Sequence, residues 1–326
     1  MSVLWVFVDG VGLGPTVPDS AAASRQADGA SREADGVNPF AALRLPAFER
    51  LGGGQRWTAE AVAVRQPRHT FVPVDATLGV DGLPQSGTGQ GALFTGANAA
   101  AAHGRHFGPY PPTAVRPLVE TQSVFAQLAA ALGPDRLAFA NAYPDRFFRV
   151  AEARGRWTVT TLAASAAGVR LRRADDLAAG RAVAADLTGE GWRRLLDPSL
   201  DPISEAEAAD RLLALAADRA FVLHEYYLTD KAGHSRDPDR AAAVLGSLDR
   251  LFAALLDGLG PDDLLVVTSD HGNLEDLGTK THTRHPVPLV AWGRGADAFA
   301  GARSILDVTP AVVRAVQAAE GVSLDP

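Results

Sequence analysis

The chain has 326 residues, a formal charge of −7, 47% hydrophobic and 21% charged residues, and no cysteine. That length admits one large domain or a core with a smaller insert, and the acidic balance without a basic tract argues against nucleic acid as a partner. With no thiol, disulfides and thiolate metal sites are excluded, so any metal falls to Asp, Glu, His or hydroxyl oxygen, donors that suit zinc, manganese or magnesium.

In chain order, "VLWVFV" (3–8) reads as a buried strand that stops at Asp9. It has no basic flank and is too short for a signal peptide, and no stretch reaches the ~20 apolar residues of a membrane span. A cytoplasmic protein is the expectation. Residues 16–37 are small and polar and read as a long surface loop. "TFVPVDATL" reads as a strand, followed by a glycine-rich segment, 82–100, that turns into a helix from about Gly89. A hydroxyl at that helix N-terminus would sit in positive backbone potential suited to phosphate. The segment has no G-K-[ST] ending and is not a Walker A loop, and "GVGLGP" after Asp9 lacks the dinucleotide spacing.

Residues 143–202, rich in Arg, Asp and Ala, read as a small lid inserted into an α/β core made of 1–142 and 203–326. Within it "RWTVTTLA" is strand-like and "EGWRRLL" amphipathic. Beyond it, Ala/Leu-rich helical segments alternate with apolar runs at 221–228, 264–268 and 287–292. Strands of this type between helices predict an α/β domain with a mostly parallel sheet.

Three of these strands end in aspartate: Asp9, Asp230 and Asp270. If the strands are parallel, the carboxylates share the edge where open α/β sheets place their ligands, and they would repel one another without cations between them. His234 lies four residues after Asp230, a helical turn away, and His271 follows Asp270 directly. The stretch from His271 to "VPLVAWG" is too short for a crossover helix, so the chain should return antiparallel and leave His282 at the same edge. Six residues then meet, enough for two divalent metals. His69, His103, His106 and His224 have no such context and read as structural or surface residues.

"VFVDGVGLG", "LPQSGTGQGALFTG", "TDKAGH", "TSDHGN" and "HTRHPVP" occur in that order. Together they resemble the alkaline phosphatase superfamily, closest to the branch of cofactor-independent phosphoglycerate mutase and phosphopentomutase. "NPFAALRLPAFERL" and "SILDVTPAVVRAV" are similar to further segments of that branch. The resemblance covers residues 1 to about 110 and about 205 to the end. It implies a three-layer sandwich and two divalent ions, manganese or zinc. One would be held by Asp230, His234 and His282, the other by Asp9, Asp270 and His271, with a hydroxyl nucleophile beside the second. Set against the mutase pattern G-N-S-E-V-G-H-L, "SGTGQGAL" puts Thr88 on the serine, whereas counting back from Thr95 and Gly96 favours Ser86. Thr88 is the expected nucleophile, Ser86 the alternative, and Ala92 stands where the branch has a histidine.

The expected activity is hydrolysis of a phosphate monoester or diester through a phospho-threonine. Asn98, Lys231, Arg284 and His285 are candidate contacts to a small phosphorylated substrate. The stretch between Thr88 and Asp230 is shorter than the insertion of the phosphoglycerate mutases, which favours a hydrolase over a mutase with a compact cap. A sulfatase lacks support because there is no cysteine and no C-x-P-x-R pattern. A non-catalytic metal- or nucleotide-binding relative is the remaining alternative.

Overall fold

The computed structural model describes residues 1–17 and 37–321, so most of the predicted 16–37 loop lies outside the described residues. Its strands are β1 (Val3–Val8), β2 (Val64–Gln66), β3 (His69–Val74), β4 (Leu137–Phe139), β5 (Phe221–Tyr226), β6 (Leu264–Thr268) and β7 (Val287–Gly293). They form one sheet in the order β2-β3-β7-β6-β1-β5-β4. The pairs β1/β5, β1/β6 and β4/β5 are parallel, whereas β6/β7, β3/β7 and β2/β3 are antiparallel.

The sheet is therefore mixed, and the expectation of a mostly parallel one is corrected. The antiparallel return of β7 was legible in its short connection. The hairpin from β2 to β3 is likewise too short to hold a helix, so β2 at the sheet edge joins β7 as the second reversed strand, while β3 runs with the central strands.

Alternation along the central strands builds three layers. Val3, Trp5 and Phe7 of β1 face one side, packed with Leu93, Phe94, Val308 and Val312. Leu4, Val6 and Val8 face the other, packed with Leu212, Leu245, Leu248 and Phe252. Both faces are covered, which is why these strands are apolar throughout rather than alternating. The Phe94 ring lies 5.1 Å from Trp5 and 5.2 Å from Phe7, anchoring the helix Ser86–Thr95 to β1. Burying such a ring stabilises by about 1.5–3 kcal/mol. On the opposite face the helix Pro238–Gly258 starts with Pro at its first position and is capped by Asp237, whose side chain accepts from the Asp239 and Arg240 amides. A cap of this kind contributes ~1 kcal/mol.

"RWTVTTLA" is helical, not a strand: Val159–Ala166 form a helix capped by Thr158, whose hydroxyl accepts from the Thr161 amide. Val159, Thr160 and Thr161 are all buried there, so packing outweighs their β-branched preference for strands. This helix joins the larger core through Leu162, Ala163 and Ala164. Val169 joins that core too and Val183 and Leu187 join the core of the opposite face, while Leu177, Ala182 and Trp192 gather in a small cluster apart. Among the described residues no helix is long and apolar enough to cross a membrane.

Candidate metal and nucleophile site

Because β1, β5 and β6 are parallel and in register, the segments leaving their C-terminal ends emerge side by side. Asp9 follows β1 directly. Asp270 follows β6 after one residue. Asp230 sits within the helix Leu228–Ser235, beyond the end of β5 at Tyr226. Gly10 makes this convergence possible: its φ is +69°, and a Cβ there would lie 2.8 Å from Asp230 Cβ. Gly89 brings its helix equally close to Asp270, where an added Cβ would meet the carbonyl at 3.0 Å.

Two overlapping groups of donors result. Asp9, Asp270 and His271 form one, and Asp230, His271 and His282 the other, with one donor atom from each residue within 4.8 Å of the others in its group. His271 Nε2 stands 3.3 Å from Asp9 Oδ1 and 3.5 Å from Asp270 Oδ2. His282 Nε2 is 3.5 Å from Asp230 Oδ1, and the His271 and His282 rings stack at 3.8 Å. His234, on the exposed rim, has Nε2 3.3 Å from Asp230 Oδ2 and 3.2 Å from His282 Nε2. The histidine shared by both groups is thus His271, with His234 flanking the second.

The electrostatics are those of a site that needs cations. Burial, then the neighbouring charges of Asp270 and Asp230, push the Asp9 carboxyl well above its ordinary range. Burial, with repulsion from Asp230, raises Asp270 to about 7. Burial drives His271 down to about 3, leaving a neutral imidazole with a lone pair to offer. Asp9 Oδ1 and Asp270 Oδ2 are buried acceptors with no hydrogen-bond donor. Buried oxygens are ordinarily satisfied, and a divalent ion would satisfy both while removing the repulsion. By that test the donor set fits a metal pair of the oxygen- and nitrogen-binding kind.

Ser86 is the first residue of the helix Ser86–Thr95, and its Oγ lies 3.0 Å from His271 Nε2. It is partly exposed, whereas Thr88 is wholly buried. The Thr88 hydroxyl accepts from the Phe107 amide at 3.0 Å and lies 3.3 Å from the Gln85 and Phe107 carbonyls. One helical turn cannot present both positions to the same point. Of the two hydroxyls expected as nucleophile, Ser86 is the one that faces the cluster, and Thr88 points into the packing around Phe107.

Of the four candidate substrate contacts, Asn98 caps the helix Ala99–His103 and donates to the Leu78 carbonyl. His285 Nδ1 lies 3.0 Å from Glu275. Lys231 is exposed, its ammonium 4.3 Å over the Tyr227 ring, and Arg284 is exposed on the loop before β7. His69 and His106 bond to backbone carbonyls and His224 is buried in β5, in keeping with structural roles. Three supporting residues were missed. Gln90 donates to Asp9 Oδ2 at 3.3 Å, Asn273 donates to Asp230 Oδ1 at 2.7 Å, and buried Glu275 ties together the loops after β1 and β6. The Asn of "TSDHGN" was the signal for Asn273, and Glu275 in "NLED" had none.

Residues 200–319 match the model of the Metalloenzyme superfamily. A phosphopentomutase of Chromohalobacter salexigens is 36% identical over 110 residues, covering 33% of this chain and 24% of that protein. A 2,3-bisphosphoglycerate-independent phosphoglycerate mutase of Serratia proteamaculans is 31% identical over 121 residues, covering 34% and 23%. The chain thus spans about a quarter of the length of these curated relatives. The alkaline phosphatase of the Antarctic bacterium TAB5 shares the fold with a TM-score of 0.55, at 12% identity over 97% of this chain and 98% of that one. The PH0037 protein of Pyrococcus horikoshii does so with a TM-score of 0.54, at 14% identity over 97% and 96%. The resemblance read from the five motifs is borne out in the family model, the mutase relatives and the alkaline phosphatase fold.

Proposed function

We propose that the chain is a metal-dependent phosphoryl-transfer enzyme that hydrolyses phosphate esters through a phosphoserine at Ser86. The observation that carries this reading is the 3.0 Å approach of Ser86 Oγ to His271 Nε2 at the centre of the aspartate–histidine cluster. Asp9, Asp270 and His271 would hold one divalent ion, and Asp230 and His282, with His234 beside them, the other. Manganese or zinc suits such donors. When bound, the two ions would supply the positive charge that activates a hydroxyl and neutralises phosphoryl oxygens.

The remaining work falls to the chain itself. Ser86 stands on the first turn of its helix, where the backbone dipole favours negative charge, and no side chain of Gln85 caps that end. Its Oγ attacks phosphorus, the bond to the ester oxygen breaks, and the alcohol leaves with a proton. Water then attacks the phosphoserine, releasing inorganic phosphate and restoring the hydroxyl. Gln90 and Asn273 hold Asp9 and Asp230 in place throughout.

The kinship with phosphopentomutases supports a second reading, in which a sugar alcohol rather than water discharges the phosphoserine. Incubation with an aryl phosphate and with a pentose phosphate, manganese or zinc added, separates the two. Metal-dependent release of inorganic phosphate from both supports the hydrolase. Formation of a positional isomer of the sugar phosphate without phosphate release supports the mutase. No metal-dependent turnover on either would reject the enzymatic reading.

A further inference from the structure

A cleft of about 360 Å³ opens beside the edge strand β4, lined by five arginines and only two aspartates. Its walls come from the segment before β4, the end of the helix Glu205–Ala217, the residues just before β5, and the chain around Arg172 and Arg181. It lies at the starts of β4 and β5, whereas the aspartate–histidine cluster lies past the ends of parallel strands. β5 alone is six residues long, which separates the two by roughly 20 Å at ~3.3 Å per residue. The cleft is therefore no part of the nucleophile site.

Such a concentration of guanidinium groups in a chain of net charge −7 calls for a partner. Arg170 is matched by a fork onto Asp176, and Arg211 by Glu207. Arg181 reaches the same Asp176 oxygen only at 3.4 Å. Arg172 is 7% exposed, and its guanidinium donates to the Arg181 and Phe139 carbonyls rather than to a carboxylate. Arg219 donates to the Asp218 carbonyl. Burial, followed by the charge of Arg170, lowers Arg172 to about 10, so it remains a cation at neutral pH in a crowded positive field. Five guanidinium groups brought to one cleft from several elements supply more donors than the nearby carboxylates use, and a tetrahedral anion with many acceptor oxygens suits such a lining. The volume falls within the range of small-ligand sites, on the order of 300–1,000 Å³.

We propose that this cleft is a second ligand site, for a small phosphate-bearing anion, separate from the nucleophile site. Calorimetric titration of the full chain with inorganic phosphate and with pyrophosphate tests it. The wild type should bind, Asp230→Asn should retain that binding, and the double variant Arg181→Ala/Arg219→Ala should weaken it at least tenfold with an unchanged circular dichroism spectrum and melting temperature. Arg219→Lys, which keeps the charge but loses the fork, should fall between the two. Wild-type protein that takes up neither anion at millimolar concentration would overturn the proposal. So would affinity retained in the double variant, or affinity lost only in Asp230→Asn.

Discussion

Glu275 offers the sharpest energetic test of how the site loops are held. Its carboxylate is wholly buried, with Oε2 accepting from the Gly12 amide at 2.9 Å and the Asn273 amide at 2.8 Å. Oε1 accepts from the Thr283 hydroxyl and lies 3.0 Å from His285 Nδ1. Burial opposes ionisation, yet the bonds from His285 and Thr283 outweigh it and hold the carboxyl below its ordinary range. Glu275→Ala strands two buried backbone N–H groups at ~1–3 kcal/mol each and removes one partner of His285. The expected loss is about 3–5 kcal/mol, from the two stranded donors together with the lost bonds to Thr283 and His285.

Glu275→Gln can keep its carbonyl on the two amides and turn its NH₂ toward Thr283 and His285, both of which can switch to accepting. It exchanges charge-assisted bonds for neutral ones and should cost only about 1–2 kcal/mol. Urea unfolding of the two variants measures the gap. Equal losses for Ala and Gln, or a loss under ~1 kcal/mol for Ala, would refute the account of Glu275 as the tie between these loops.

Other expectations follow from the same contacts. Phe94→Ala should destabilise by about 3–5 kcal/mol in a thermal or urea melt, because the ring joins the Ser86 helix to Trp5 and Phe7. Asn273→Ala should lower kcat/KM for the phosphate ester by tenfold or more while the protein stays folded, since the Asp230 carboxylate loses its 2.7 Å donor. Asp176 is held below the ordinary carboxylate range: burial works against this, but Arg170 and the Arg173 amide outweigh it. A folded value below the unfolded one of ~3.9 means stability that is present above that pH and lost as pH falls through the folded value. The penalty of Asp176→Asn should therefore be larger at pH 7 than near pH 3 in parallel urea melts, and an equal penalty at both would contradict the sign.

Most of the framework was legible because it rests on local pattern. Doubly buried strands are apolar throughout, and Leu264–Thr268 was read to its boundaries. The convergence of Asp9, Asp270, His271 and His282 followed from strand ends and one short connection, whereas Asp230, expected at a strand end, arrives on the first turn of the helix that follows β5. Less was legible where three-dimensional packing decides. The strand-like "RWTVTTLA" is drawn into a helix by a Thr158 cap and burial of its β-branched residues. The proposed nucleophile turns on register. Placing Gly89 on the inner glycine of G-N-S-E-V-G-H-L sets Ser86 on the serine and Gln90 on the histidine, and both face the cluster. Glu275 had no pattern to betray it, since a buried acid is recognised only by the donors that surround it.

The central claim is that Ser86 accepts the phosphoryl group. The direct measurement is to quench the metal-loaded protein during turnover of an aryl phosphate and map the phosphorylated residue by peptide mass spectrometry. The account predicts phosphate on Ser86, its absence in Ser86→Ala, and its persistence in Thr88→Val, a variant that loses stability because the Phe107 amide loses its acceptor. Phosphate on Thr88, or steady turnover in Ser86→Ala, would contradict it.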